Sequence, residues 1–314
     1  MIALLPGDYV TDRARTTAQR GACDRQLRSL LAFSALLLAA TTISRPAAAQ
    51  LPLFDHVVVV LMENHSFSQI IGNANAPYIN ALAEQNANFT QSFAIEHPSQ
   101  PNYLDLYSGS NQGVTDDSCP HAFNTANLGG QLIAANFTFA GYSEGLPAAG
   151  STVCSSGTAP YTYQRKHNPW VNFSDVPAAS NQPFSAFPGD FTLLPTVSFV
   201  VPNQCHDMHD CSVATGDAWL QANIDPYAQW AKLHNSLLVL TWDENDSSIP
   251  NRITTIFVGA HVVPGQYAET INHYTVLATL EALYGLDAIG GAAAKTPIAD
   301  VWDTTLFQDG FEGE

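Results

Sequence analysis

Four stretches of the chain read as β-strands that end abruptly on polar clusters. HVVVVLM (56–62) runs into Glu63-Asn64-His65, and ANFTQSFAI (87–95) opens onto His97-Pro98-Ser99-Gln100-Pro101-Asn102. TVSFVVP (196–202) leads to His206-Asp207-Met208-His209-Asp210, and SLLVLTW (236–242) ends in Asp243-Glu244. The run of four valines has no polar face, which predicts a strand buried on both sides in a parallel sheet between helices. Helical patterns fall at 77–87, at 101–109 (closing on Gly109), at 216–233 with an interruption at Pro226, and at 273–285. A further strand is expected over 252–259. This alternation predicts an α/β fold with a doubly wound, mostly parallel sheet. Open parallel sheets bind ligands outside the carboxyl ends of their strands, so the four polar clusters predict one shared site at that rim. Residues 143–195 are rich in Pro, Gly, Ser and aromatics. They are expected to form a loop-rich excursion over the site, within a single domain spanning 50–300.

The N-terminus carries a different signal. Arg20, Arg25 and Arg28 precede an apolar run at 29–40, and Pro46-Ala47-Ala48-Ala49 offers a small-residue cleavage site before Gln50. Residues 1–49 therefore read as a secretory signal peptide. The apolar run is shorter than the roughly 20 residues a membrane span needs, and no later stretch reaches that length. No integral membrane span is expected, and the location implied is secreted or periplasmic. Residues 301–314 read as an acidic tail. Beyond residue 49 only five Lys and Arg face 25 Asp and Glu, a net charge near −20. Such a surface repels nucleic acid and anionic bilayers at long range, which argues against a nucleic-acid partner.

Four cysteines remain after the leader, and four allow three pairings. The favoured set is Cys119–Cys154 with Cys205–Cys211. The second bridge would close a small loop around His206, Asp207, His209 and Asp210. A zinc site of cysteine and histidine is the rival, and an oxidising compartment favours disulfides.

Ser99 stands between Pro98 and Pro101 just before a helix. An N-cap role would explain such a serine without any function. It also follows a strand, the helix N-terminus would stabilise an anion beside it, and its neighbours His97 and Asn102 could touch a phosphoryl oxygen. Asp243-Glu244 is continued by Asn245-Asp246. So many hard oxygen groups at one strand end repel unless a cation is bound. Glu63-Asn64, a carboxylate and an amide carbonyl leaving a buried strand, makes the same case. His209 lies between two aspartates that could orient it. Arg165 and Lys166, beside His167, form a local positive spot suited to a phosphate contact. His167 and His273 each read as readily as structural histidines.

Taken together, MENHSFSQIIG, HPSQPNYLDLYSG, RKHNPWVNF, DMHDCSVATGDAWL, LTWDEND and INHYTVLATLEALYG resemble the phosphoesterase family of bacterial acid phosphatases and phospholipases C, within the alkaline phosphatase superfamily. The resemblance covers roughly 51–302. It implies an alkaline-phosphatase-like fold, Ser99 as nucleophile, and His209 as an active-site histidine. It implies Glu63, Asn64, Asp243 and Glu244 as metal ligands, Glu244 the least secure because Asp also occurs at the last position. His167 and His273 would lie near the substrate, with Asn102 and Lys166 as further substrate contacts from their own chemistry. One divalent metal ion, of open identity, is implied. The expected activity is a secreted, metal-assisted phosphomonoesterase of acid phosphatase type working through a phosphoserine. Its substrate would be a phosphomonoester, with a phosphoinositide head group among the candidates. A phospholipase C-type phosphodiesterase is the nearest alternative. A non-catalytic anion- or metal-binding protein is another, and it leaves Ser99 unexplained.

Overall fold

The structure is a computed structural model that describes residues 51–303. The signal-peptide reading of 1–49 and residues 304–314 of the acidic tail lie outside the described residues. Strand β1 (His56–Met62) shows why the valine run has no polar face. Val57, Val59 and Leu61 enter one apolar cluster, and Val58, Val60 and Met62 enter the other. Successive side chains of a strand point to opposite faces, so both faces of the sheet are covered.

The remaining strands are β2 (Ala87–Phe93), β3 (Phe139–Ser143), β4 (Ser155–Thr158), β5 (Tyr161–Gln164), β6 (Asn181–Pro183), β7 (Val197–Val201), β8 (Ser236–Trp242), β9 (Arg252–Ile253), β10 (Thr255–Gly259) and β11 (Gly265–Asn272). The main sheet has the order β11-β2-β10-β8-β1-β7-β3-β6, with β9 paired to β2, and β4-β5 form a separate hairpin. Strands β8 and β7 flank β1 in parallel, and β3 and β6 continue that direction. The helices are α1 (Phe67–Ile70), α2 (Pro77–Gln85), α3 (Ser99–Ser108), α4 (Leu128–Ala134), α5 (Val213–Asn223), α6 (Asp225–Ala231) and α7 (His273–Leu283). Side chains of α3, α4 and α7 pack into one face of the sheet, and those of α2, α5 and α6 into the other. The mostly parallel, doubly wound α/β class is what the hydrophobic pattern predicts.

One strand departs from the simple alternation. The stretch 252–259 divides at Thr254, and β10 runs antiparallel to both β8 and β2. The connection from β8 contains no helix, so it cannot carry the chain back across the sheet for a parallel strand. Strand β2 is antiparallel to β10 and therefore points the same way as β1. The carboxyl ends of β1, β2, β7 and β8 thus share one edge. Residues 143–195 contain the β4-β5 hairpin, several 3₁₀ turns and the edge strand β6. No helix among the described residues is long and apolar enough to cross a membrane.

Helix α7 holds a buried carboxylate remote from the polar rim. Glu281 Oε1 accepts the Ile289 N–H at 3.1 Å, while Oε2 has no hydrogen-bond partner. Burial pushes this carboxyl up to about 8. A folded-state value above the unfolded one means that the native state holds the extra proton, so stability falls as pH rises from about 4.5 to about 8. Glu281→Gln mimics the neutral form. The variant should match the wild type near pH 5 and exceed it by about 1–3 kcal/mol at pH 8, measured by urea unfolding at both pH values.

Candidate active site

The backbone ladder of the sheet fixes the starting point of each polar cluster. Past the end of β1, the Glu63 N–H donates to the Asp207 carbonyl at 2.9 Å, and the Asp243 N–H donates to the Met62 carbonyl at 3.0 Å. The loops after β1, β7 and β8 are thereby tied into one surface. Asn64 adopts φ +53°, in the left-handed region that Asn tolerates better than most residues. That turn directs its N–H to Asp243 Oδ1 at 3.2 Å.

Ser99 is the first residue of α3, and Pro98 occupies the cap position. The N-cap explanation for the serine therefore does not apply. Its Oγ lies 3.1 Å from Glu63 Oε2, 3.0 Å from Glu244 Oε1 and 3.5 Å from Asn64 Oδ1. One hydroxyl hydrogen cannot serve three acceptors. An amide oxygen facing two carboxylates is repulsive unless the amide turns over or a cation joins the oxygens. Turned over, the Asn64 nitrogen would donate to Glu63 Oε2 at 3.2 Å and Glu244 Oε1 at 3.3 Å. Asp243 Oδ2 is buried beside them with no hydrogen-bond partner. The donors around the hydroxyl, two carboxylates and an amide oxygen, with Asp243 hydrogen-bonded to the Asn64 N–H, suit a hard divalent cation.

Glu63 also faces a second group. His167 Nε2 lies 3.2 Å from Glu63 Oε1, and His167 Nδ1 lies 3.9 Å from Asp207 Oδ2. One ligand atom from each of Glu63, His167 and Asp207 falls within 4.8 Å of the others, all three residues being buried. The His167 ring stacks on Tyr103 with centroids 4.9 Å apart, and the Tyr103 hydroxyl donates to Glu63 Oε1. Burial dominates the electrostatics. It pushes Glu63 up to about 7, against the pull of Lys166 and Tyr103. Burial, then the charges of Glu63 and Glu244, push Asp243 well above the usual carboxylate range. Asp207 is raised well up by burial and by Glu63, and Glu244 is raised by burial against the contact of His97. Burial drives His167 well below the usual imidazole value. Burial raises all four carboxyls, the Glu63 charge adds to it at Asp243 and Asp207, and a bound cation would favour their ionised forms.

The structure brings Ser99, Glu63, Asn64 and Glu244 into direct contact, with Asp243 hydrogen-bonded to Asn64. Of the residues read from sequence as substrate contacts, Asn102, His167 and His273 are buried. Asn102 is fully buried; its Oδ1 accepts the N–H groups of Ile95 and Glu96, and its Nδ2 donates to the carbonyls of Glu96 and Pro98. With no capacity left for a phosphoryl oxygen, it holds the turn that presents Ser99. His273 is buried at the start of α7, donates Nε2–H to the Asp243 carbonyl at 2.6 Å, and is held down to about 4 by burial. It holds the loop that follows β8. His167 is buried between two carboxylates and faces them instead of solvent.

Lys166 pairs with Asp117 at 2.7 Å. Burial works against its charge, but Glu63 and Asp117 outweigh burial and raise it. His209 is exposed, with Nδ1 2.7 Å from Asp210 Oδ1. Asp207 accepts the His209 backbone N–H at 2.8 Å and does not touch the imidazole. His209 is still close enough for its charge to act on Glu63 and His167. The bridges Cys119–Cys154 and Cys205–Cys211 both form, the second closing the loop that carries Asp207 and His209. Sequence reading missed Tyr103, although it stands four residues after Ser99 on the same helix face. It also missed His97 as a partner of Glu244 and Asp207 as a neighbour of His167.

A model of the Phosphoesterase family matches residues 73–287. The chain is 55% identical over 259 residues to the phosphatidylinositol-3-phosphatase of Mycobacterium tuberculosis, covering 82% of this chain and 85% of that protein. It is 31% identical over 268 residues to a phosphate-repressible acid phosphatase of Penicillium chrysogenum, covering 79% of this chain and 64% of the fungal protein. The chain thus spans somewhat less than two thirds of that longer relative. Among solved structures, a protein of the alkaline phosphatase superfamily from Vibrio parahaemolyticus shares the fold with a TM-score of 0.53 at 15% identity, over 81% of this chain and 75% of that one.

Proposed function

The chain belongs to the Phosphoesterase family and is a hydrolase of phosphate esters, and from that premise we propose that it is an exported, metal-assisted phosphomonoesterase in which Ser99 is the nucleophile. The observation that carries this reading is the Ser99 hydroxyl at the start of α3, 3.1 Å from Glu63 and 3.0 Å from Glu244. A serine placed only for structure would cap its helix; this one points into a carboxylate cluster.

In the proposed reaction Ser99 Oγ attacks phosphorus in line. Its proton passes to a neighbouring carboxylate, the Oγ–P bond forms, and the bond from phosphorus to the leaving oxygen breaks. The α3 N-terminus faces the developing negative charge. His209, held by Asp210, gives a proton to the leaving oxygen and then takes one from the water that hydrolyses the phosphoserine. Lys166, steadied by Asp117, supplies positive charge toward the phosphoryl group. Tyr103 and His167 hold Glu63 in place. Glu63, Asn64, Asp243 and Glu244 would hold a divalent cation, with His167 and Asp207 abutting Glu63. Such an ion, when bound, supplies neutralising charge and favours the ionised hydroxyl.

The name of the mycobacterial relative supports a 3-phosphorylated phosphoinositide as the substrate class. Two disulfides support an oxidising compartment and hence export. Stopped-flow assay of an activated phosphomonoester tests the mechanism: one equivalent of leaving group should appear in a burst where dephosphorylation is slow, and acid quenching should trap phosphate on Ser99. Phosphate recovered on another residue, or hydrolysis without any enzyme-bound phosphate, would overturn it. His209→Asn should lower kcat/KM by about 10²-fold and leave the melting temperature nearly unchanged, because the imidazole is exposed. A wild-type rate in this variant would move the proton-donor role elsewhere.

A further inference from the structure

Only five Lys and Arg fall among the described residues, and several are committed. Arg165 donates to the Thr152 and His121 carbonyls and to Asn172, and Lys166 pairs with Asp117. Lys232 follows α6, with Nζ 3.5 Å from Gln229 Oε1, and Lys295 follows the 3₁₀ turn at 290–294. Arg252 differs. Its backbone pairs with Phe93 at the carboxyl end of β2, so it stands on the same rim as Ser99. Its guanidinium lies 4.0 Å from the centroid of the Phe67 ring, makes no ion pair among the described residues, and has a buried Nε without a hydrogen-bond partner. The nearby Asp246 carboxylate is occupied by Gln69 and Ser248.

Arg252 lines an open cleft of about 260 Å³ together with Ser66, Phe67, Ser68, Ser248 and Ile249. The cleft adjoins the catalytic cluster on both of its loops. Ser66 is two residues beyond Asn64, and Ser248 is four beyond Glu244, so at most about 7 and 14 Å of chain separate them. A guanidinium over an aromatic ring and left without an anion, beside the exposed Ser68, is a phosphate-recognising arrangement, while the Ser66 and Ser248 hydroxyls donate to Gln69 and Asp246. In a chain this acidic, an unpaired arginine at the rim also supplies attraction that the surface as a whole does not.

We propose that this cleft is a second anion subsite, which receives a phosphate group of the substrate other than the one hydrolysed, with Arg252 as the specificity-determining residue. The proposal rests on the phosphomonoesterase reading above. The second group would be either another phosphomonoester or the phosphodiester of a lipid head group, since both offer the same oxygens to Arg252.

The test compares kcat/KM for inositol 3-phosphate, inositol 1,3-bisphosphate and glycerophosphoinositol 3-phosphate, with p-nitrophenyl phosphate as the reference. The wild type should prefer at least one doubly anionic substrate by about tenfold or more, and which one it prefers identifies the source of the second phosphate. Arg252→Gln should bring that ratio to about one, mainly through KM, while p-nitrophenyl phosphate turnover stays within about twofold. Arg252→Lys should restore only part of the preference. Ser68→Glu, an exposed substitution that does not threaten folding, should penalise the doubly anionic substrates selectively. A wild type without preference, or variants that lower all four substrates equally, would overturn the subsite while leaving the phosphatase reading intact. Absence of hydrolysis of all four by the wild type would overturn the phosphatase reading itself.

Discussion

Ser99→Ala should lower turnover of a small phosphomonoester by about 10⁴-fold or more while the protein stays folded. The expected gap between activity and stability follows from the position of the hydroxyl. Ser99 makes no cap bond to its helix; Pro98 holds the cap position, and the Asn102 amide secures the preceding turn. Deleting Oγ removes one hydrogen bond to the carboxylate pair Glu63 and Glu244, a change of about 1 kcal/mol. Deleting a covalent nucleophile removes the reaction path itself. Ser99→Cys keeps a nucleophile with different metal and proton preferences, and should retain a trace of turnover above the alanine variant. The check is kcat/KM for both variants beside their urea midpoints. A folded alanine variant with wild-type turnover would remove Ser99 from the reaction.

How far the sequence reveals this site depends on the kind of contact. Glu63, Asn64, Asp243 and Glu244 are legible because each directly follows a strand whose apolar pattern is unmistakable, and strand ends converge by topology. Ser99 is legible for the same reason, one turn further on. Tyr103 could have been added from its helical spacing to Ser99. The contact of His167 with Glu63 could not, because it depends on where a long irregular segment folds back, and no periodicity governs that. Asn102 illustrates another limit. Its residue type suits a phosphate contact, but its amide goes to backbone groups of 95–98, and composition cannot say which way a side chain points. The antiparallel β10 is a limit of pattern alone: an apolar strand reads the same in either direction, and only the helix-free link after β8 distinguishes them.

Arg252 is illegible in the sequence for a related reason. A single arginine beginning a strand carries no motif, and the case for it rests on the absence of an ion pair among the described residues, which only the folded arrangement reveals. The same folded arrangement explains why an acidic protein can act on an anion. Under the proposed function, Lys166, whose charge acts on Glu63, and Arg252, at the carboxyl end of β2, would supply attraction for an anion.

Asp243→Asn should abolish metal binding and activity together, by about 10³-fold or more in kcat/KM, and should nevertheless stabilise the metal-free protein at neutral pH. The two effects share one cause. Asp243 is buried, its Oδ2 has no hydrogen-bond partner, and burial together with Glu63 and Glu244 pushes its carboxyl well up. Glu63 is likewise pushed up from 4.5 to about 7. For such groups the native state binds more protons than the unfolded state, so the metal-free protein should lose stability as pH rises from about 4.5 to about 7. A divalent cation reverses that trend, because it favours the ionised carboxylates and competes with their protons. At a concentration a hundredfold above its dissociation constant it adds about 2.7 kcal/mol. Removing the Asp243 charge removes both the repulsion and the affinity. The measurements are melting temperatures at pH 5 and 7.5, with and without chelator, for wild type and variant, beside elemental analysis of the purified proteins. A wild type that keeps full activity after chelation, with no metal found by analysis, would show that the carboxylate cluster works without a cation. A chelated variant less stable than the chelated wild type at pH 7.5 would show that Asp243 is held by the fold more than it is opposed by its neighbours.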